Sequence, residues 1–145
     1  MTDHNTVGTV IAGRYRLGER IGTGATAAVF AAHDERLDRP VAIKVIDEGA
    51  ARAADPTAAR RFVVEARSSA RFVHPHAVSV YDAGTDGDRL FLVMELVAGG
   101  SLAEALDRGG AMSSRAAATL GAQIAGALGA AHAVDHRVVR LGDHR

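Results

Sequence analysis

The 145-residue chain has no cysteine and no tryptophan, and its only side-chain ammonium is Lys44, set against sixteen arginines. Without cysteine neither a disulfide framework nor a thiolate metal site can form, and a reducing cytoplasm fits that composition. Charge of one sign is missing too. Seventeen basic residues balance seventeen acidic ones, so no bulk field draws the chain to nucleic acid or to an anionic membrane. Long apolar runs are scarce. Val10 to Ala12 is too short for a signal peptide. Ala116 to Val134 carries no charge, and Gly121, Ala125 and Gly129 form a row of small residues there. That window is mostly alanine and glycine with Gln123 and His132 inside it, so its drive into a bilayer is weak and it reads as a buried helix.

What is present starts with that lone lysine. A chain this biased toward arginine is expected to use arginine wherever a generic cation will serve. Lys44 therefore marks a position suited to a compact point charge on a flexible stem, which is a common phosphate ligand. Twenty residues upstream, Ile21-Gly22-Thr23-Gly24-Ala25-Thr26-Ala27-Ala28-Val29 is a glycine-rich turn between two apolar runs.

The remaining pattern predicts three strands, a helix, two strands and two helices, on one domain's length of chain. Tyr15 to Ile21 and Ala27 to His33 read as strands around the glycine turn, and Pro40 leads into a third, Val41 to Ile46. Asp55-Pro56 is a helix start, with a capping carboxylate and a proline whose φ is preset. That helix is expected to end near Arg71, before His74-Pro75. Val78 to Tyr81 and Leu90 to Met94 are strands flanking the turn Thr85-Asp86-Gly87-Asp88. Ser101 is expected to cap a short helix ending near Gly109-Gly110, and Ser113 or Ser114 a long one. In the long helix Leu120, Ile124, Leu128 and Ala131 recur at helical spacing.

Gly22-x-Gly24-x-x-Ala27-x-Val29, then Val41-Ala42-Ile43-Lys44 on a strand, then Leu92-Val93-Met94-Glu95-Leu96-Val97 resemble, in order, the N-terminal lobe of a bacterial eukaryotic-like serine/threonine protein kinase. The resemblance covers residues 13–134. It implies an α+β fold: a five-stranded antiparallel sheet with one helix, followed by two helices of an incomplete C-terminal lobe. The expected divisions are a flexible tail (1–12), the N-lobe and hinge (13–97), the first C-lobe helices (98–134) and a divergent tail (135–145).

The resemblance also implies roles. The turn Ile21, Gly22, Thr23 and Gly24 would bring backbone N–H groups to ATP phosphates, although Ala27 stands where the family has a third glycine. Lys44 would hold the α- and β-phosphates and pair with Glu65 on the following helix. Val29 and Ala42 would sandwich the adenine, Met94 is the gatekeeper, and the backbone of Glu95 and Val97 would meet the purine edge. His74-Pro75-His76 reads as a loop before a strand, so no metal ligands are assigned.

Magnesium is expected for the family, but its ligands are absent. No Asp-Phe-Gly occurs, and the only asparagine is Asn5. His136 and Arg137 can be laid on the family's catalytic loop, which places Val138 at the base position, Arg140 at the lysine and Asp143 at the asparagine. Valine cannot accept a proton. In another register Val138-Val139 is the strand before that loop. The expected activity is ATP-dependent phosphorylation of protein serine or threonine, with a non-catalytic nucleotide-binding or regulatory module, or an inert truncation product, as the alternatives. The expected partners are ATP and a protein substrate, with self-association or docking through the stripe Leu120, Ile124 and Leu128, and without nucleic acid or membrane.

Overall fold

The computed structural model describes residues 6–23, 27–47, 66 and 72–142. It divides into two compact units, Met1–Arg71 with Ser79–Leu96, and Phe72–Val78 with Val97–Arg145. The first unit holds a six-stranded sheet of β1 (Val10–Ile11), β2 (Tyr15–Thr23), β3 (Ala27–Asp34), β4 (Arg39–Asp47), β5 (Val80–Asp86) and β6 (Arg89–Met94), in the order β1-β2-β3-β4-β6-β5. Every neighbouring pair is antiparallel. The helix expected between Asp55 and Arg71 lies outside the described residues except at Ala66, which is helical and buried.

Alternation builds the core. Phe30 and Ala32 of β3, Val41, Ile43 and Val45 of β4, and Phe91 and Val93 of β6 lie across from one another in register. With Ile11, Tyr15 and Leu17 they form one buried apolar cluster. Period-two burial on one face of a sheet is the stabilising pattern here.

Two expectations change at the N-terminus. The sheet has six strands, not five, and residues 10–11 are a strand where a flexible tail was expected. Ile11 is fully buried in the core cluster, and Gly8 N–H donates to the Leu17 carbonyl at 2.7 Å. Ala12 and Gly13, both at positive φ, turn the chain back so that Ile11 pairs with Tyr15. The core needs only one side chain from this segment, and two residues are too few to display alternation.

The sheet is strongly curled. Three strands separate β2 from β5, which in a flat sheet would hold them about 19 Å apart. Yet the Tyr15 hydroxyl donates to Asp82 Oδ2 at 2.6 Å. Beside it, Arg14 donates from Nε and Nη2 to the two oxygens of Asp34, each at 2.7 Å, and from Nη1 to Asp82 at 3.4 Å. Backbone N–H groups of Arg36 and Leu37 also donate to Asp34. Asp34 is fully buried. The Arg14 guanidinium, helped by the Leu37 and Arg36 amides, holds its carboxyl down at about 2 against the opposing effect of burial. Burial, then the bond to Asp82, pushes the Tyr15 phenol up, so it stays a donor.

β5 and β6 form a hairpin turning at Gly87, which has φ 58. β5 runs Val80–Asp86 where Val78 to Tyr81 was expected. Asp82, Gly84 and Asp86 are weak strand formers, and pairing with β6 overrides their local preference.

The second unit contains α1 (Leu102–Gly109) and α2 (Ser114–Gly142). Ser101 caps α1 in a capping box: its Oγ accepts from Glu104 N–H at 3.2 Å, and Glu104 Oε2 accepts from Ser101 N–H at 2.8 Å. Gly110, at φ 73, ends the helix. Ser113 Oγ accepts from Ala116 N–H at the start of α2. α2 continues through Gly142, so the break expected after Val134 is absent and Val138-Val139 is helical, not a strand. No helix among the described residues is long and apolar enough to cross a membrane.

Candidate functional site

Strand pairing sorts the singled-out residues onto two cross-strand rows. In the first, Gly22 faces Val29, Val29 faces Lys44, Lys44 faces Leu92 and Leu92 faces Ala83. In the second, Ala31 faces Ala42, Ala42 faces Met94 and Met94 faces Val80. Both rows fall on the opposite parity from Phe30, Ile43 and Val93, hence on the sheet face away from the main core cluster. Neighbours within a row are about 5 Å apart, and the rows are roughly 7 Å apart along the strands.

Gly22, Val29, Ala42, Lys44 and Met94 are thus gathered on one small area of sheet. Its chemistry is an ammonium beside a patch of short and apolar side chains. Lys44 is half-buried, and it makes no ion pair among the described residues. Gly22 stands in β2 just after the register shift that follows Arg20, not at positive φ, and a Cβ there would meet the Val29 Cβ at 3.5 Å, an ordinary contact. The sheet itself would accept alanine at that position. Gly18 differs, because a Cβ there would lie 2.9 Å from the Ala31 carbonyl oxygen.

The other predicted residues are placed less closely. Ile21 is exposed in the irregular stretch of β2 between the Arg20–Phe30 and Gly22–Val29 pairs. Thr23 faces Ala28 and so has the opposite parity to Gly22. Glu95 follows the end of β6, and Val97 is exposed in the second unit. Gly24 and Glu65 lie outside the described residues.

Leu92 and Ala31 belong to the rows and were not singled out from sequence. Leu92 was legible as the same-face neighbour of Met94, two residues away. Ser79 was also missed. Its carbonyl accepts from Glu95 N–H at 2.9 Å, and its own N–H donates to Glu95 Oε2 at 3.3 Å. No local pattern announces that pair. His74 and His76 stack edge to face, and the His76 N–H donates to His74 Nδ1. Among the described residues no group of three or more acidic or histidine side chains is placed to hold a metal ion. A shallow depression in the second unit is lined by Gly99, Gly100, Glu104, Asp107 and Arg108, and contains no row residue.

Residues 15–140 match the protein kinase domain family. The match extends to residue 140, within the stretch that the sequence reading set apart as a divergent tail. Serine/threonine-protein kinase PknL of Mycobacterium tuberculosis is 44% identical over 119 residues, covering 82% of this chain and 29% of PknL. PknA of the same organism is 41% identical over 144 residues, covering 94% of this chain and 33% of PknA. The crystal structure of the M. tuberculosis PknI kinase domain superposes with a TM-score of 0.75 at 30% identity, over 88% of this chain and 51% of that one. The chain belongs to the protein kinase domain family, and its relatives are bacterial serine/threonine-protein kinases. It spans about a third of the length of these curated relatives.

Proposed function

We propose that this chain forms the nucleotide-holding part of an ATP-dependent serine/threonine protein kinase. The observation that carries the reading is the pair of rows joining Gly22, Val29 and Lys44 to Ala42 and Met94 on one sheet face. Val29 and Ala42 offer the apolar surface a purine ring stacks on. Lys44 supplies the point charge for the α- and β-phosphates, with Glu65 as its partner, and the turn Ile21, Gly22, Thr23 and Gly24 closes over the phosphates. The glycine at position 22, which the sheet does not require, leaves room for a ligand's close approach. Glu95 and Val97 offer backbone groups to the purine edge. The phosphoryl acceptor is a protein serine or threonine, and the compartment is the cytoplasm.

Magnesium would neutralise charge on the β- and γ-phosphates. Among the described residues no group of three or more acidic or histidine side chains is placed to hold a metal ion, so the residues present do not fit that ion. A second reading is a module that binds nucleotide without transferring phosphate: in one register Val138 stands at the base position, and valine cannot accept a proton. Ile124 and Leu128, 50% and 55% exposed on α2, support self-association or docking of a partner along that face.

Titration with a fluorescent ATP analogue, with and without magnesium, tests the reading. Lys44→Met is expected to weaken binding about ten-fold or more, as loss of a charge-assisted phosphate contact implies, while the melting curve stays put. Lys44-dependent binding without phosphate transfer selects the second reading. Binding that ignores Lys44 defeats both.

A further inference from the structure

β2 and β3 do not pair in a single register. From the Leu17–Ala32 pair to the Gly22–Val29 pair β2 advances five residues while β3 advances three, with one shift on each side of Arg20. β2 therefore carries two bulged residues. Without the shifts, the register of Leu17 and Ala32 would continue with Gly18 opposite Ala31, Arg20 opposite Val29 and Ile21 opposite Ala28. The two shifts cancel in parity, so each strand keeps its faces and only the residue that enters the row changes. Two observations show the chain held away from regular pairing. Ala28 packs against the core, yet Ile21, which would lie beside it, is 49% exposed. The backbone at Gly18 also comes so close to β3 that a Cβ would lie 2.9 Å from the Ala31 carbonyl oxygen.

We infer that Gly18 is a positioning residue: the close approach of β2 to β3 that glycine permits fixes the double bulge, and the bulge sets Gly22 instead of Arg20 opposite Val29 in the row that holds Lys44. This rests on the nucleotide reading above and adds the element that sets its geometry. In the bulged register the row has no side chain at position 22, and the apolar surface of Val29 is left to the ligand. In the regular register Arg20 would enter the row, its methylene stem covering Val29. As the chain is folded, Arg20 is exposed and stands opposite Phe30. A side chain at position 18 finds no relief in a rotamer change, because the atom it meets is main chain. Either the strands part, or the bulge straightens into the regular ladder, where residue 18 would face Ala31 as an ordinary pair. Gly18 thus acts on the ligand through register, without touching it.

The experiment reads register and ATP affinity together on the full 145-residue chain. In the wild type, cross-strand proton contacts by NMR are expected between Gly22 and Val29 and not between Arg20 and Val29. The reverse pattern overturns the inference before any variant is made. Gly18→Val, whose β-branched side chain favours regular strand, is expected to bring Arg20 opposite Val29 and to weaken ATP binding about ten-fold, roughly the loss of one apolar contact. Arg20→Gly alone is expected to change ATP affinity less than about two-fold. Combined with Gly18→Val it should restore most of the affinity, since a glycine again faces Val29. A role confined to stability would lower the melting temperature of Gly18→Val without that rescue, and affinity still lost in the double variant overturns the inference. Where valine prevents folding, Gly18→Ala places the same Cβ with less bulk and is read against the same Arg20→Gly rescue. Wild-type ATP binding that is indifferent to Gly18 sinks the inference alone. If the wild type binds no ATP, the functional reading fails and takes the inference with it.

Discussion

Asp34 shows how much one buried side chain can carry. Both oxygens are engaged by Arg14, two backbone amides add further donors, and Arg39 Nε lies 3.8 Å away. The Arg39 guanidinium also rests over the Tyr81 ring, 4.0 Å from its centroid. Asp34→Asn keeps the shape but leaves Arg14 facing a neutral amide, and is expected to cost about 3 kcal/mol at neutral pH. Chemical denaturation measures this. The folded carboxyl titrates at about 2, below its ordinary 3.8. Its contribution is therefore complete above about pH 5 and fades as pH falls through 4 toward 2. The wild type should lose melting temperature across that interval, and Asp34→Asn should lose less.

Among the elements, α1 has no buried residue among its eight and depends on its ends. Ser101→Ala removes the acceptor for Glu104 N–H and should destabilise the helix by about 1 kcal/mol. Amide exchange at Glu104 is expected to speed up about five-fold. The cap was legible because Ser-x-x-Glu is a local signature. β3, β4 and β6 were legible for a related reason: Val41, Ile43, Val45 and Phe91, Val93 alternate, and alternation is written in the chain. β1 was not, since Val10 and Ile11 become a strand only by pairing with Arg16 and Tyr15. The end of α2 was misjudged because polar Asp135, His136 and Arg137 interrupt the apolar stripe without breaking the backbone. In the candidate site, Lys44, Ala42 and Met94 stood out by composition and motif. Ser79 did not, because its role comes from a residue sixteen positions away.

For the molecule as a whole, the apolar stripe of α2 is the feature through which the proposed self-association can be tested. Ile124 and Leu128 are half exposed, and on the proposed docking reading this stripe is where copies of the chain would meet. The double substitution Ile124→Gln with Leu128→Gln is expected to shift sedimentation toward the monomer without lowering the melting temperature. The first unit is held by a different kind of contact. The Tyr15–Asp82 bond joins residues 67 positions apart, and closing a loop of that span costs on the order of 4 kcal/mol of chain entropy. One hydrogen bond returns only about 1 kcal/mol. It cannot start folding. The local hairpins β2–β3, β3–β4 and β5–β6 must assemble first and bring the two ends within reach. The bond between the two ends of the curled sheet is then expected to form late, so its stabilisation should appear as slow unfolding instead of rapid folding, which the unfolding rate of Tyr15→Phe measures.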